Sequence, residues 1–460
     1  MNVTASVVIP TYNRSHQLLL TLTSFENQEY PKDGFEVIVV DDGSDDQTKR
    51  VLENYKAPYK LTYTSSGRNR GRSAARNIGV KLAKGSIIIF CDADFLVRPN
   101  FISTHVQYHS AYDRAVVSGV PNSWIGAFTH YYPEFSDAQK NDLRHTLERA
   151  HLWNDKILES GQVVEVITQE DVRNNIDKLD QVVAWYMTQE VKDECKRTDV
   201  APWLVFITRC VSLRFEDFHR AGGFNEEFKN YGLEDWELGY RLSKDGVTFV
   251  CMDELVGYHQ EHPISYRGMD GNLTNLKKIF KRHGITDPEI AFMSISPPWS
   301  DFYGYKNNLR KLKELLSLSG ETNITVSNIA PNPIRITGGE TNITTHQEFN
   351  ISSPNRDINK LVPIFYWSEL PTFRSDEFKK SVVLSRNGLP DCMWIGPKPY
   401  GGFGESNGLI FFRTTFSLQT PSIVHIEVPY ADDLALVYVD GGLEAVSSVN
   451  ENMTICDERI

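Results

Sequence analysis

The chain has 460 residues, with 48 Lys and Arg against 60 Asp and Glu, giving a formal net charge of −12. Hydrophobic residues at 40% and charged residues at 23% exclude a mainly disordered chain. The length predicts about two to four domains. The acidic balance argues against a general nucleic-acid or anionic-membrane partner, while leaving room for a local basic pocket. Cys91, Cys195, Cys210, Cys251, Cys392 and Cys456 are scattered without CxxC spacing, so neither a zinc site nor a dense disulfide framework is expected. Free thiols in a reducing cytosol fit that pattern. The Asn323-Ile-Thr and Asn342-Ile-Thr triplets matter only in a secretory compartment. No stretch approaches the roughly 18 apolar residues of a membrane span, and a strand pattern begins at once. The expectation is a cytoplasmic protein without a membrane span.

In chain order, Ser6–Ile9 reads as a short buried strand, His16–Gln28 as a helix, and Phe35–Val40 as a second buried strand. Thr48–Tyr55 reads as a helix, Tyr59–Thr64 as a strand, Ser73–Ala83 as a helix and Ser86–Cys91 as another buried strand. Strand–helix repetition with near-continuous apolar strands predicts a mainly parallel sheet covered by helices on both faces. Ligands of such α/β sheets gather at the carboxyl ends of the strands. Those ends carry Thr11-Tyr-Asn-Arg14, Asp41-Asp-Gly-Ser44 and Asp92-Ala-Asp94. Residues 130–200 are charged and helix-prone, and read as a helical insertion with helices over Asp137–Ile157 and Gln169–Lys196. Ala201–Leu213 and Val247–Met252 read as strands, and Trp236–Leu242, Asn272–His283 and Lys306–Leu318 as helices. From about 320 the helical period vanishes, Gly-Glu-Thr-Asn-Ile-Thr occurs at 320–325 and again at 339–344, and short runs alternate with turns. That texture predicts an antiparallel β-sandwich. The expected division is a domain over 1–318 and a β-rich accessory domain over 319–460.

Asp92 and Asp94 flank Ala93 after a buried strand, where two carboxylates can sit beside a divalent cation that shares substrate phosphates. Asp41 and Asp42 can accept hydrogen bonds from a base or a ribose; a turn with a helix cap at Ser44 or Asp45 is the structural alternative, and both can hold. Arg68, Arg70, Arg72 and Arg76 concentrate positive charge around Gly71 and a helix start near Ser73, a pattern suited to phosphate. Glu234 and Asp235 open a helix, where a carboxylate serves either as a general base or as a cap. Trp236 offers a stacking surface for a sugar or a core side chain. His259 follows a strand, and its imidazole either completes a metal site begun by Asp94 or is satisfied within the core.

Taken together, Val7-Val-Ile-Pro-Thr-Tyr-Asn13, Val39-Val-Asp-Asp-Gly-Ser44, Gly71–Asn77, Asp92-Ala-Asp94, Gly222-Gly-Phe-Asn-Glu226 and Glu234-Asp235 resemble the nucleotide-sugar glycosyltransferases of family 2, which have the GT-A fold. The His259-Gln-Glu segment is similar to that of bacterial chondroitin- and heparosan-type polysaccharide synthases, where the histidine joins the metal site. The resemblance covers roughly the first 300 residues. It implies a nucleotide pocket of Pro10, Tyr12, Asn13 and Asp41, joined by Asp42 and Arg76, with Arg72 and Ala93 completing the set. It further implies Asp92 on the ribose or sugar, Asp94 and His259 on Mn²⁺ or Mg²⁺, Asp235 as catalytic base and Glu234 holding the acceptor. Ser212 stands where many relatives have Asn and receives no role. The implied activity is inverting transfer from a nucleotide-diphosphate sugar, such as a UDP-sugar, to a hydroxyl of a glycan or glycoconjugate in polysaccharide biosynthesis.

Two other enzyme readings compete: a retaining transferase on the same scaffold, and a sugar-1-phosphate nucleotidyltransferase, whose Gly-x-Gly-x-Arg start is replaced here by Pro10-Thr-Tyr-Asn13. A carbohydrate-binding or scaffolding protein with an inactive transferase domain is the non-enzyme alternative. The tail vaguely resembles galactose-binding-like sandwiches and reads either as a glycan-binding module or as an oligomerisation domain.

Overall fold

The computed structural model describes residues 3–263 apart from 230, then helical segments between 269 and 317, and beyond those only the backbone of short strands. The chain divides into two compact units, residues 1–278 and 279–460. In the first unit the elements are β1 (Ala5–Thr11), α1 (Ser15–Ser24), β2 (Phe35–Asp41), α2 (Thr48–Asn54), β3 (Lys60–Ser65), α3 (Arg72–Leu82), β4 (Ile87–Cys91), β5 (Phe95–Val97) and α4 (Phe101–Ala111). There follow β6 (Ala115–Ser118), β7 (Ile125–Ala127), β8 (His130–Tyr131), α5 (Asp137–Arg149), α6 (Lys156–Glu159), β9 (Val164–Glu165), α7 (Gln169–Asn174), α8 (Lys178–Gln181), β10 (Val183–Tyr186) and α9 (Gln189–Lys196). The last are β11 (Cys210–Arg214), α10 (Phe215–Arg220), α11 (Glu234–Lys244), β12 (Thr248–Cys251), β13 (Gly257–Gln260) and α12 (Met269–His283).

The central sheet has seven strands in the order β12-β6-β11-β4-β1-β2-β3. β1, β2, β3 and β4 run parallel, as does the β6–β12 pair, whereas β11 is antiparallel to both β4 and β6. The sheet is therefore mixed, with helices flanking it. Every residue of β2 and of β4 is buried, as expected where both faces are covered. The period-2 alternation sorts the faces: Val7, Ile9, Val37, Val39, Ile87 and Ile89 enter one core with Leu18, Leu22 and Phe101. Ile38 and Val40 face Ala75 of α3 on the other side. Gly79 lets that helix approach closely, because a Cβ there would lie 2.4 Å from Val8 Cγ1.

A second sheet, β10-β7-β13-β5, stands beside the carboxyl ends. β13 pairs antiparallel with β5 and parallel with β7, placing His259 opposite both Phe95 and Gly126. The expected helical insertion is corrected here. Helical segments do occupy residues 137–196, but they are short and broken by β9 and β10. β10 pairs with β7 and β9 with β8, so long-range ladders override local helix propensity. The strand expected from Ala201 is likewise a 3₁₀ turn over Pro202–Val205, with the strand starting only at Cys210. Between 323 and 457 the described backbone consists of short strands in antiparallel pairs, such as Asn323–Ser327 with Glu348–Ser352. The sandwich expected there lies outside the described residues. No helix among the described residues is long and apolar enough to cross a membrane.

Candidate active site

Three strand ends build the site. At the end of β1, Asn13 adopts φ of +53°, its N–H donates to Ser44 Oγ at 2.9 Å, and its Oδ1 accepts from the Asp45 N–H at 3.0 Å. At the end of β2, Asp41 Oδ1 accepts from the Ser44 N–H at 3.0 Å, so the turn forms, but neither Ser44 nor Asp45 caps the next helix, which starts at Thr48 after Gln47 with no side-chain cap. Both oxygens of Asp42 are taken by the next loop: Oδ1 accepts from Ser66 Oγ and the Arg70 N–H, and Oδ2 from the Gly71 N–H at 2.8 Å. Pro10 is half-buried, and Tyr12 is exposed beside this loop pair. The half-buried Arg72 stacks its guanidinium over the Tyr231 ring at 4.4 Å.

At the end of β4, Ala93 is buried and its carbonyl accepts from Thr21 Oγ1 at 2.9 Å. Asp92 and Asp94 flank it. Asp92 Oδ1 lies 3.3 Å from Arg76 Nη2, and Arg76 Nη1 lies 3.0 Å from Glu234 Oε1. Arg76, expected in the nucleotide pocket, is fully buried and bridges two carboxylates that balance its charge. It ties the Asp92–Asp94 loop to the first turn of α11, which follows Leu233 in the left-handed conformation.

That turn separates two neighbouring carboxyls electrically. Burial opposes ionisation of Glu234, but Arg76 and Arg72 outweigh it and hold its pKa below the usual range. Its Oε2 is buried without a hydrogen-bond partner among the described residues. Asp235 is pushed up to about 7 by burial and by the adjacent Glu234 charge, against the pull of Arg76 and of the Trp236 N–H on its Oδ1. Two carboxyls with opposed shifts are the arrangement from which an acid–base assignment can be read.

Asp94 faces β13. Its Oδ2 lies 3.3 Å from His262 Nε2, 3.9 Å from His259 Nε2 and 3.8 Å from Arg14 Nε. One donor atom from each of Asp94, His259 and His262 falls within 4.8 Å of the others, so a single cation can reach all three. Burial raises the Asp94 pKa, but the His262 hydrogen bond and the charges of His259, His262 and Arg14 hold it well below the usual carboxylate range. Burial and the nearby Arg209 lower the pKa of His259, favouring the neutral imidazole that binds metals. His259 Nδ1 lies 3.2 Å from Glu261 Oε1, which also accepts from Trp185 Nε1 at 2.8 Å. With the proton on Nδ1, Nε2 is left bare toward Asp94. Gly126 makes room for this pair, since a Cβ there would meet Glu261 Oε1 and Trp185 Nε1 at 2.3 Å. One carboxylate with two imidazoles is a mixed oxygen–nitrogen donor set, which a divalent cation that accepts nitrogen ligands can occupy.

Sequence reasoning overlooked His262, Arg14, Glu261 and Arg209. Arg14 and Glu261 lay within segments already singled out, and His262 directly follows one. In a continuing strand, residues 259 and 262 would face opposite sides, but β13 ends at Gln260 and the chain turns His262 back to Asp94.

Residues 6–160 match the model of the glycosyl transferase family 2, and residues 202–263 that described as the N-terminal domain of galactosyltransferase. The chain is 32% identical over 299 residues to the uncharacterized glycosyltransferase YfnE of Bacillus subtilis, covering 64% of this chain and 75% of that one. It is 29% identical over 260 residues to a chondroitin synthase of Escherichia coli, covering 56% of this chain and 35% of that one. The match thus spans about a third of that synthase. Among solved structures, Staphylococcus aureus TarS 1–349 in complex with UDP-GlcNAc aligns with a TM-score of 0.45 at 15% identity, covering 68% of this chain and 78% of that one.

Proposed function

The chain belongs to glycosyltransferase family 2, and from that premise we propose that it transfers a sugar, with inversion and metal dependence, from a nucleotide-diphosphate donor such as a UDP-sugar to a hydroxyl of a glycan or glycoconjugate. The observation that carries the reading is the buried Arg76, which joins Asp92 at one strand end to Glu234 beside Asp235. Through it, motifs far apart in the chain share one site. Asp94, His259 and His262 would hold a divalent cation, which when bound offsets the charge of the departing diphosphate. Pro10, Tyr12, Asn13 and Asp41 line the nucleotide side, with Asp42 and Arg76 supporting the loops behind them. Asp92, Ala93 and Arg72 face the sugar and phosphates.

Asp235 accepts the proton of the acceptor hydroxyl. Its carboxyl, with a pKa near 7, is partly ionised at neutral pH and still basic enough to take that proton. The oxygen then forms a bond to the anomeric carbon as the bond to the diphosphate breaks on the opposite face, so the configuration inverts. Glu234, held ionised by Arg76, keeps Asp235 basic and lies toward the acceptor. Residues 1–318 form the transferase domain and 319–460 an accessory domain that holds the acceptor glycan or a second copy of the chain. A donor screen with Mn²⁺, mass spectrometry of the products and NMR of the product anomer test this reading. Retention of configuration removes the base assignment, and the absence of transfer or donor hydrolysis above background leaves the binding-module alternative.

A further inference from the structure

The second sheet, β10-β7-β13-β5, has β10 at one edge and β5 at the other. Its register sets Trp185 of β10 opposite Gly126 of β7, and Gly126 opposite His259 of β13. Residues paired directly across strands share a face, so the Trp185 indole and the His259 imidazole stand on the same side with only a glycine between them. Two strand spacings separate their backbones, about 10 Å. The other side of this sheet is core: Ile125, Ala127, Val183 and Tyr258 pack there with Leu143 and Leu147 of α5. In a regular strand Trp185 would join Val183 on that side. A register shift between the two residues turns the indole to the His259 side instead.

The indole is fixed at two points. Its Nε1 donates to Glu261 Oε1 at 2.8 Å, the oxygen that lies 3.2 Å from His259 Nδ1. Its inner edge rests on the bare backbone of Gly126, where a Cβ would come within 2.3 Å of Nε1 and 2.7 Å of Cε2. Trp185 still remains 36% exposed. The one polar atom of the ring is already bonded, so what the ring offers to a ligand is carbon. A ring fixed in advance loses little freedom when it is covered, and the negative face of its π-system attracts polarised C–H groups. One face of a pyranose supplies both such groups and apolar area. β5, which continues directly from Asp92-Ala93-Asp94, lies on one side of β13, and Trp185 lies on the other.

We propose that Trp185 is a stacking subsite for a pyranose ring of the acceptor glycan, set across the cation-binding imidazole from the Asp92–Asp94 loop. The inference rests on the transferase reading and deepens it. The subsite selects extended acceptors, because a saccharide long enough to reach the indole gains a contact that a single sugar unit lacks.

Ligand-observed NMR titration of the full chain, with saturating UDP and Mn²⁺, tests it. The probes are the hexasaccharides of chondroitin, hyaluronan and chitin and their monosaccharide units. In the wild type at least one hexasaccharide binds more tightly than its monosaccharides. Trp185→Ala weakens that hexasaccharide about three- to tenfold and leaves the monosaccharides unchanged. Trp185→Phe keeps an aromatic face but loses the N–H bonded to Glu261, and binds the hexasaccharide within about twofold of the wild type. Tyr186→Ala alters a side chain that is 70% exposed and paired with Ile125 on the other face, and it binds as the wild type does. In transfer assays the loss in Trp185→Ala falls on the acceptor KM and not on the donor KM. Trp185→Ala matching the wild type overturns the inference alone, as does Trp185→Phe as weak as Trp185→Ala, which would assign the effect to the hydrogen bond. A loss confined to UDP-GlcNAc, or a wild type that binds UDP-GlcNAc but no hexasaccharide, also overturns it alone. A wild type that binds no nucleotide or nucleotide sugar overturns the transferase reading with it.

Discussion

Asp235→Asn isolates the proton-accepting role, because the amide keeps the shape of the carboxyl and can still accept from the Trp236 N–H. What it removes is the ability to take a proton. A positioned general base contributes about 10²–10⁴-fold, so kcat falls by at least that lower bound while the donor Kd is unchanged. The pH dependence sharpens the test. Asp235 acts as a base only when ionised, so wild-type kcat falls as pH drops below about 7, whereas the variant's residual rate has no inflection there. Stability moves the other way. A carboxyl raised in the folded state favours folding below its unfolded pKa, and that contribution is lost as pH rises through about 7. The amide lacks this loss and the repulsion from Glu234, so the variant's Tm gains on the wild type between pH 4 and pH 8. The assays are donor calorimetry, initial rates at saturating substrates and thermal melts across pH. Near-normal transfer by the variant, or a wild-type rate flat from pH 5 to pH 8, refutes the assignment.

Asp94→Ala and His262→Ala each remove one of the three clustered donors, and calorimetry should show Mn²⁺ affinity reduced about tenfold or more; unchanged affinity would take that residue out of the metal site. Arg76→Met strands the buried Glu234 carboxylate and should cost about 3–5 kcal/mol in urea unfolding, a loss that an unaltered midpoint would disprove. His105 Nδ1 and His109 Nε2 share Ser212 Oγ at 2.7 and 2.8 Å in the core. Burial and the charge of His109 lower the His105 pKa, and burial with Arg214 lowers that of His109 to about 4. The unfolded chain therefore binds protons that the folded chain refuses, and stability falls as pH drops from about 6.5 toward 4. His109→Gln should flatten that slope in denaturant melts, and an identical slope would count against the buried network as its cause.

The strands of the main sheet were legible because their apolar runs are nearly continuous, and Asp41, Asp92 and Asp94 stood out because polar residues close those runs. Family membership rested on the same local motifs. The insertion was read as helical from composition, and β10 corrects this because its stability comes from pairing with β7, a partner far away in sequence. Arg76 illustrates the same limit. Its neighbours in the chain suggested phosphate, whereas its neighbours in space are Asp92 and Glu234.

Local periodicity and turn chemistry thus settle which segments become strands or helices and which side chains arrive at strand ends. They do not settle which charges become partners. The pairing of His262 with Asp94 and the bridging of Asp92 and Glu234 by Arg76 appeared only when the chain closed on itself, because electrostatic interaction depends on separation in space and on exclusion of water, neither of which is written in residue spacing.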